Sequence, residues 1–237
     1  MGAILKTFIL KIGGHVLFDE DGNFRVNIIK DYIKVLTEIV ASGIMVHIVV
    51  GGGINARRYI DILKKFNASN AVMDYVGALV ARLNALTFSY ILGDIALHIV
   101  PNSFDELIRL LPLAYSSKRI IVCGGLQPGQ STIAVAALLA EITKASFLAY
   151  ATTVEGVYDK DPKVHPDARL LKEITYTELE EILKKQPQTP GKYKLFDKVS
   201  LSILKRSKIV SYVFNGLKPN LLMQIVKGEN PGTIIRP

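Results

Sequence analysis

Residues 45–58, MVHIVVGGGINARR, decide the fold: an apolar run, Met45–Val50, stops at Gly51-Gly52-Gly53, and helical periodicity follows over 55–66. A short apolar run closed by glycines and reopened as a helix is the signature of a buried strand leading into a helix. Two more strands end in the same way. Phe8-Ile9-Leu10-Lys11-Ile12 runs into Gly13-Gly14, and 119–123 runs into Gly124-Gly125. Ligands of parallel α/β sheets bind beyond the carboxyl ends of the strands. Glycine there lets backbone N–H groups approach an anion, and the next helix adds its positive end. One glycine pair can be a tight turn, but three on one sheet edge point to a phosphate site. No G-x-x-x-x-G-K-[ST] is present, and no G-x-G-x-x-G follows a strand, so neither a P-loop nor a Rossmann dinucleotide site is indicated. Lys11, at a strand end beside Gly13-Gly14, is placed to neutralise charge on a transferred phosphoryl group.

Outward from these strands, helices and strands alternate, which predicts an α/β fold with a mainly parallel sheet. Helices are expected at 26–40, 55–66, 71–92, 132–144, 175–185, 197–207 and 219–227, and strands at 96–100, 119–123, 146–151, 209–214 and Thr233–Arg236. Ser103 with Glu106 three residues on has capping-box spacing and opens a further helix. Residues 152–172 carry turn formers and charge and read as hairpins at the edge of a second lobe; 186–194, with two Pro and a Gly, reads as a mobile loop.

The 237 residues fit one large α/β domain with room for two lobes around one sheet. A single cysteine, Cys123, excludes an internal disulfide, and no Cys/His set has zinc spacing, which points to a reducing cytoplasm. Each apolar run is interrupted before the ~18 residues of a membrane span. The start of the chain, 1–13, reads as a first strand and not as a signal peptide. The formal charge of +8 raises a nucleic-acid partner, but the basic residues are scattered, with doublets only at Arg57-Arg58, Lys64-Lys65, Lys184-Lys185 and Lys205-Arg206. A basic surface for small polyanions accounts for it, so neither nucleic acid nor membrane is expected.

Lys11-Ile12-Gly13-Gly14, GGGINARR at 51–58 and GGLQPGQST at 124–132, followed by the Ala-rich AVAALLAE, resemble the amino-acid-kinase fold and, more narrowly, the archaeal type of UMP kinase. The resemblance spans nearly the whole chain in order. It implies a three-layer αβα sandwich with an acceptor lobe at about 1–145 and an ATP lobe at about 146–237. It also implies in-line transfer of the γ-phosphoryl group of MgATP to UMP. The acceptor's own phosphate oxygen is the nucleophile, so no general base is needed; the task is to hold two polyanions together. Mg²⁺ would be held mainly by ATP phosphates and water, with no protein ligand assigned. A homohexamer built from dimers is implied, with the helices at 26–40 and 71–92 as interface material.

By the same resemblance, Lys11, Gly13, Gly14, His15, Gly53, Arg57, Thr152, Tyr158 and Asp161 lie on the ATP side. Gly52, Asp74, Gly125, Leu126, Gln127, Pro128, Gly129, Gln130, Ser131 and Thr132 lie on the UMP side. Asp197 matches the family Asp that orients the catalytic lysine. Read from the residues alone, Asp197 is equally a helix N-cap, Asp74 a helix surface charge and Tyr158 a strand aromatic. His15, Glu155 and Lys198 depart from the pattern. Lys198 stands where such kinases carry Pro, and it is expected either to reach the β- or γ-phosphate beside Lys11 or to be a solvated first-turn residue. Isopentenyl phosphate kinases carry a His after the triple glycine, and carbamate kinases lack the triple-Gly-Ala-Arg block. A non-catalytic nucleotide sensor is the remaining alternative.

Overall fold

The computed structural model describes residues 7–162, 164–185 and 195–237. The loop expected at 186–194, and the first six residues of the 1–13 reading, lie outside the described residues. Strand β1 (Thr7–Ile12) is buried at all six positions, as is β2 (Met45–Val50). Strands without a wet face need helices on both sides. The chain supplies them in order: α1 (Gly14–Leu17) and α2 (Val26–Ala41) before β2, then α3 (Gly53–Lys65), α4 (Asn70–Leu92), α5 (Phe104–Ser117), β3 (Val122–Cys123) and α6 (Thr132–Ile142). The second half runs β4 (Leu148–Thr152), β5 (Val157–Tyr158), β6 (Leu170–Leu171), β7 (Glu173–Thr175), α7 (Tyr176–Lys185), α8 (Lys198–Arg206), β8 (Ser211–Asn215), α9 (Leu221–Val226) and β9 (Thr233–Arg236).

The seven-stranded sheet has the order β3-β2-β1-β4-β8-β9-β7 and is parallel except that β9 runs against β8. Strands β5 and β6 form a separate antiparallel hairpin, as the turn-rich composition predicts. Alternation along β1 divides the core. Phe8, Leu10 and Ile12 join Ile29, Tyr32, Leu36 and Ile39 of α2, Phe88 of α4 and Leu222 of α9. Ile9 joins the opposite layer, with Leu107 of α5, the buried residues of α6, Leu179 of α7 and Leu204 of α8. The result is helix, sheet, helix. Helix α2 lays its apolar side on the sheet.

Three expectations are corrected. Residues 96–100 form no strand: Ala96 makes one bridge to Ile120, the chain then leaves the sheet edge with His98 and Ile99 exposed, and Pro101 brings no donor to extend the ladder. Strand 119–123 shortens accordingly to Val122–Cys123. Ser103 does cap α5, accepting from the Glu106 N–H at 3.2 Å, but the Glu106 carboxylate returns to the N–H of Asn102, one residue earlier than a capping box requires. The box forms instead at α8, where Asp197 and Ser200 exchange bonds.

Candidate active site

The chain builds outward from β1 through β2 to β3 and then crosses to the other side of β1 for β4. That reversal makes the β1/β4 boundary the switch point, where helices on opposite faces leave a crevice beyond the strand ends. Lys11 sits there, paired in register with Tyr150 of β4. Its side chain points to the α6 and α8 face, with Nζ 4.3 Å from the centroid of the Tyr150 ring. Only 5% of Lys11 is exposed, and burial lowers its pKa to about 7; no neighbouring carboxylate among the described residues offsets this. A lysine stripped of water and left without a counter-ion disfavours its own charge and gains most from an arriving anion.

Glycines crowd around it. A Cβ on Gly51 would lie 3.6 Å from both Lys11 Nζ and Thr132 Oγ1, which brings the amine, the glycine turn and that hydroxyl to one place. A Cβ on Gly14 would stand 2.2 Å from the Gly53 nitrogen, and Gly53 has φ of +65°, so the turns after β1 and β2 touch backbone to backbone. Gly124 and Gly125 have a different cause. A Cβ on Gly124 would lie 2.4 Å from the Arg82 nitrogen and one on Gly125 2.7 Å from the Ala78 Cα, so both let α4 press against the strand end.

A cleft of about 1160 Å³ opens above these turns. Gly52, Gly53, Asp74, Gly125, Gly129, Gln130, Ser131, Thr132, Asp161, Asp197 and Lys198 line it. Asp74, near the start of α4, accepts the Gly129 N–H at 2.9 Å and fastens the 125–132 loop to that helix. Ser131 caps α6 by accepting the Ala134 N–H at 3.1 Å, and its hydroxyl donates to the Asp197 carboxylate. The other oxygen of Asp197 caps α8, accepting from the Ser200 N–H at 2.7 Å. Both oxygens are therefore engaged, one with the cap of α8 and one with the 125–132 loop. Asp197, expected to orient Lys11, is bonded to Ser131 and Ser200. Burial, and then the Asp197 charge, pushes the Tyr150 hydroxyl upward in pKa, so Tyr150 stays neutral between them.

Tyr158 and Asp161 share a smaller hollow beside the cleft with Leu179, Ile182, Leu183 and Leu195. Its floor is apolar, and its free volume is only about 20 Å³. Lys11, Gly13, Gly14 and Thr152 lie at the strand ends behind the cleft wall. His15 is half-buried in the single turn of α1. Lys198 is exposed at the first position of α8. Arg57, on the second turn of α3, is exposed outside the cleft lining, while Arg58 donates to the Asp21 carbonyl at 2.8 Å. Leu126 is buried, and Gln127 and Pro128 form the exposed tip of their loop.

Two residues at the site escaped the sequence reading. Tyr150 looked like one more residue of an apolar strand, and only its register beside Lys11 reveals it. Asn84 lies in the buried stripe of α4, and its Nδ2 donates to the carbonyls of Gly51 at 3.0 Å and Gly52 at 3.2 Å. A lone amide in an apolar helix was the signal.

The sequence pattern of the Amino acid kinase family matches residues 6–215. The uridylate kinase of Pyrobaculum islandicum is 44% identical over 230 residues, covering 97% of this chain and 99% of that protein. The uridylate kinase of Pyrobaculum aerophilum is 42% identical over 229 residues, with the same coverage. The crystal structure of uridylate kinase from Archaeoglobus fulgidus superposes with a TM-score of 0.81 at 36% identity, covering 96% of this chain and 99% of that one. UMP kinase from Ureaplasma parvum, at 24% identity, shares the fold with a TM-score of 0.82 over 98% of this chain and 99% of its own.

Proposed function

The chain belongs to the amino acid kinase family, and from that premise we propose that it is a uridylate kinase, passing the γ-phosphoryl group of ATP to UMP with release of ADP and UDP. One observation carries the reading within the family: the glycine turn after β2 and the capped starts of α6 and α8 border one cleft, and the buried amine of Lys11 lies against that same glycine turn, behind the cleft wall. Two helix N-termini and a lysine that lacks a counter-ion make a place for several negative charges at once.

The chemistry asks for positioning and charge neutralisation. UMP would lie toward α4 and the 125–132 loop, where Asp74 has an oxygen left for a ribose hydroxyl and the loop's amides and side chains face a pyrimidine edge. ATP would lie on the β4 and α8 side, its ring at Tyr158 and its phosphates toward Gly13, Gly14, Gly53 and Lys11. This assigns the acceptor lobe to about 1–145 and the ATP lobe to about 146–237. Lys11 takes up a proton as the phosphates arrive, and it then stabilises the charge on the oxygens in transit. Mg²⁺ supplies further neutralisation when bound with the nucleotide. Asp159, Asp161 and Asp197 border the cleft, carboxylates of the hard-oxygen kind that suits an ion carried mainly by phosphates and water.

The outer side of α3 and α4 suits a second copy of the chain. Phe66 is 79% exposed and Leu83 62%, and Tyr59, Ile62, Tyr75 and Leu79 lie beside them in sequence register. A homohexamer assembled from dimers would use this surface. It also gives a reason for the length and hydropathy of α4 other than a membrane, and with the free thiol of Cys123 it fits a cytoplasmic enzyme. An ADP-release assay with MgATP across UMP, CMP, AMP, carbamate and isopentenyl phosphate tests the function. UMP is expected to lead AMP by ~10⁴ or more, because an amide- and hydroxyl-lined pocket penalises the wrong hydrogen-bond pattern. Equal rates with AMP overturn the acceptor assignment.

A further inference from the structure

Asn84 is 6% exposed and stands among Ala81, Ala85 and Phe88 on the buried stripe of α4. An amide in such a place is costly to leave unpaired. Its Nδ2 meets two carbonyls in succession, Gly51 at 3.0 Å and Gly52 at 3.2 Å. These belong to the turn between β2 and α3, and Gly52 and Gly53 border the cleft. A trans peptide points its C=O and its N–H in opposite directions. Drawing both carbonyls onto α4 therefore turns the N–H groups of Gly52 and Gly53 away from that helix. Gly53 opens α3, so its N–H has no partner within the helix.

We propose that Asn84 is a positioning residue for phosphate binding. It holds the Gly51–Gly52–Gly53 peptides in the one orientation that offers their N–H groups to phosphate oxygens, and it keeps two carbonyl oxygens, which repel a phosphate, out of the site. Glycine makes this control necessary. A triple-glycine turn has the widest choice of backbone conformation of any sequence, and of the two carbonyls only that of Gly52 has a backbone donor of its own, the Ala56 N–H at 3.3 Å. Asn84 of α4 is the side chain that holds both. An asparagine suits the task because one nitrogen carries two N–H donors, whereas an ionised Asp offers none. The inference rests on the phosphoryl-transfer reading of the cleft, and it does not depend on which acceptor is used.

The test compares wild type with Asn84→Ala at pH 7, measuring dissociation constants for ATP and for UMP by calorimetry and the thermal midpoint without ligand. Asn84→Ala is expected to weaken ATP or UMP binding about tenfold or more, the effect of misdirecting one or two charge-assisted bonds. A lowered midpoint with both constants within about twofold of wild type means that Asn84 only packs the helix, and it overturns the proposal. If Asn84→Ala does not fold, Asn84→Ser is judged by the same criterion. A wild-type chain that binds ATP but not UMP removes the acceptor assignment and leaves Asn84 to be judged on ATP.

Discussion

Ser131 and Asp197 each cap a helix, and the hydroxyl of the first donates to the carboxylate of the second. The starts of α6 and α8 are thereby fastened together at the border of the cleft, one helix before β4 in the chain and the other after it. Beside them Lys11 keeps a buried amine 4.3 Å from the centre of the Tyr150 ring.

Asp197→Asn keeps an acceptor for the Ser200 N–H, since Asn is as good an N-cap as Asp, and its Nδ2 can donate to the Ser131 hydroxyl oxygen, so that bond survives with its direction reversed. Its thermal stability is expected to stay within about 0.5 kcal/mol of wild type. Asp197→Ala loses both bonds and is expected to cost about 1–2 kcal/mol. Denaturant midpoints compare them, and equal losses in the two variants would show that the charge, and not the bonding, holds the helices.

Lys11→Met is expected to stabilise the ligand-free protein while removing activity. The folded-state pKa is depressed from 10.5 to about 7. Between those values the unfolded chain holds a proton that the folded chain has released, so stability rises with pH through that window, and the full penalty is present below pH 7. Deleting the amine relieves a penalty on the order of 4 kcal/mol at pH 6 and little above pH 10. Thermal scans at the two pH values should diverge accordingly. In the coupled assay kcat should fall by on the order of 10²-fold or more; a near-normal kcat would make Lys11 structural.

Nucleotide binding at pH 8 should draw nearly one proton from the buffer, because an amine that is mostly neutral at that pH becomes charged beside phosphates. Calorimetry in two buffers of different ionisation enthalpy measures this. Lys11→Met should abolish the uptake, and an uptake that survives the substitution would have to come from another group.

Lys198→Pro should fold normally. Position 198 is the first of α8, and Asp197 before it has φ of −102° and ψ of 170°, extended values that a following proline favours. If the ammonium serves the transferred phosphoryl group, kcat falls about tenfold or more with the thermal midpoint unchanged. Wild-type kcat would return Lys198 to the surface.

The fold was legible because its signals were local and redundant. The six residues of Met45–Val50 read as a buried strand on composition alone, and the structure has the same bounds. The edge was not legible. Residues 96–100 are as apolar as a strand, and whether they pair depends on how far Ile120 and its neighbours reach, which no local pattern states. In the site, the glycine clusters announced themselves, but their causes differ. Gly14 and Gly53 serve contact between two turns, whereas Gly124 and Gly125 serve the passage of α4. Arg57 followed a family motif, yet the helix begins four residues earlier, at Gly53, and turns it outward. Asn84 and Tyr150 act through partners 33 and 139 residues away, distances over which a single sequence carries no pairing information.

Helix α4 holds the 125–132 loop through Asp74 near one end and the glycine turn through Asn84 farther along, and its outer side remains apolar. A 23-residue helix is a stiff rod some 34 Å long. A small roll or slide of that rod cannot move one holding point without moving the other. Pressure on its outer side is therefore delivered to both arms of the cleft together, in the manner of a crankshaft carrying two pins.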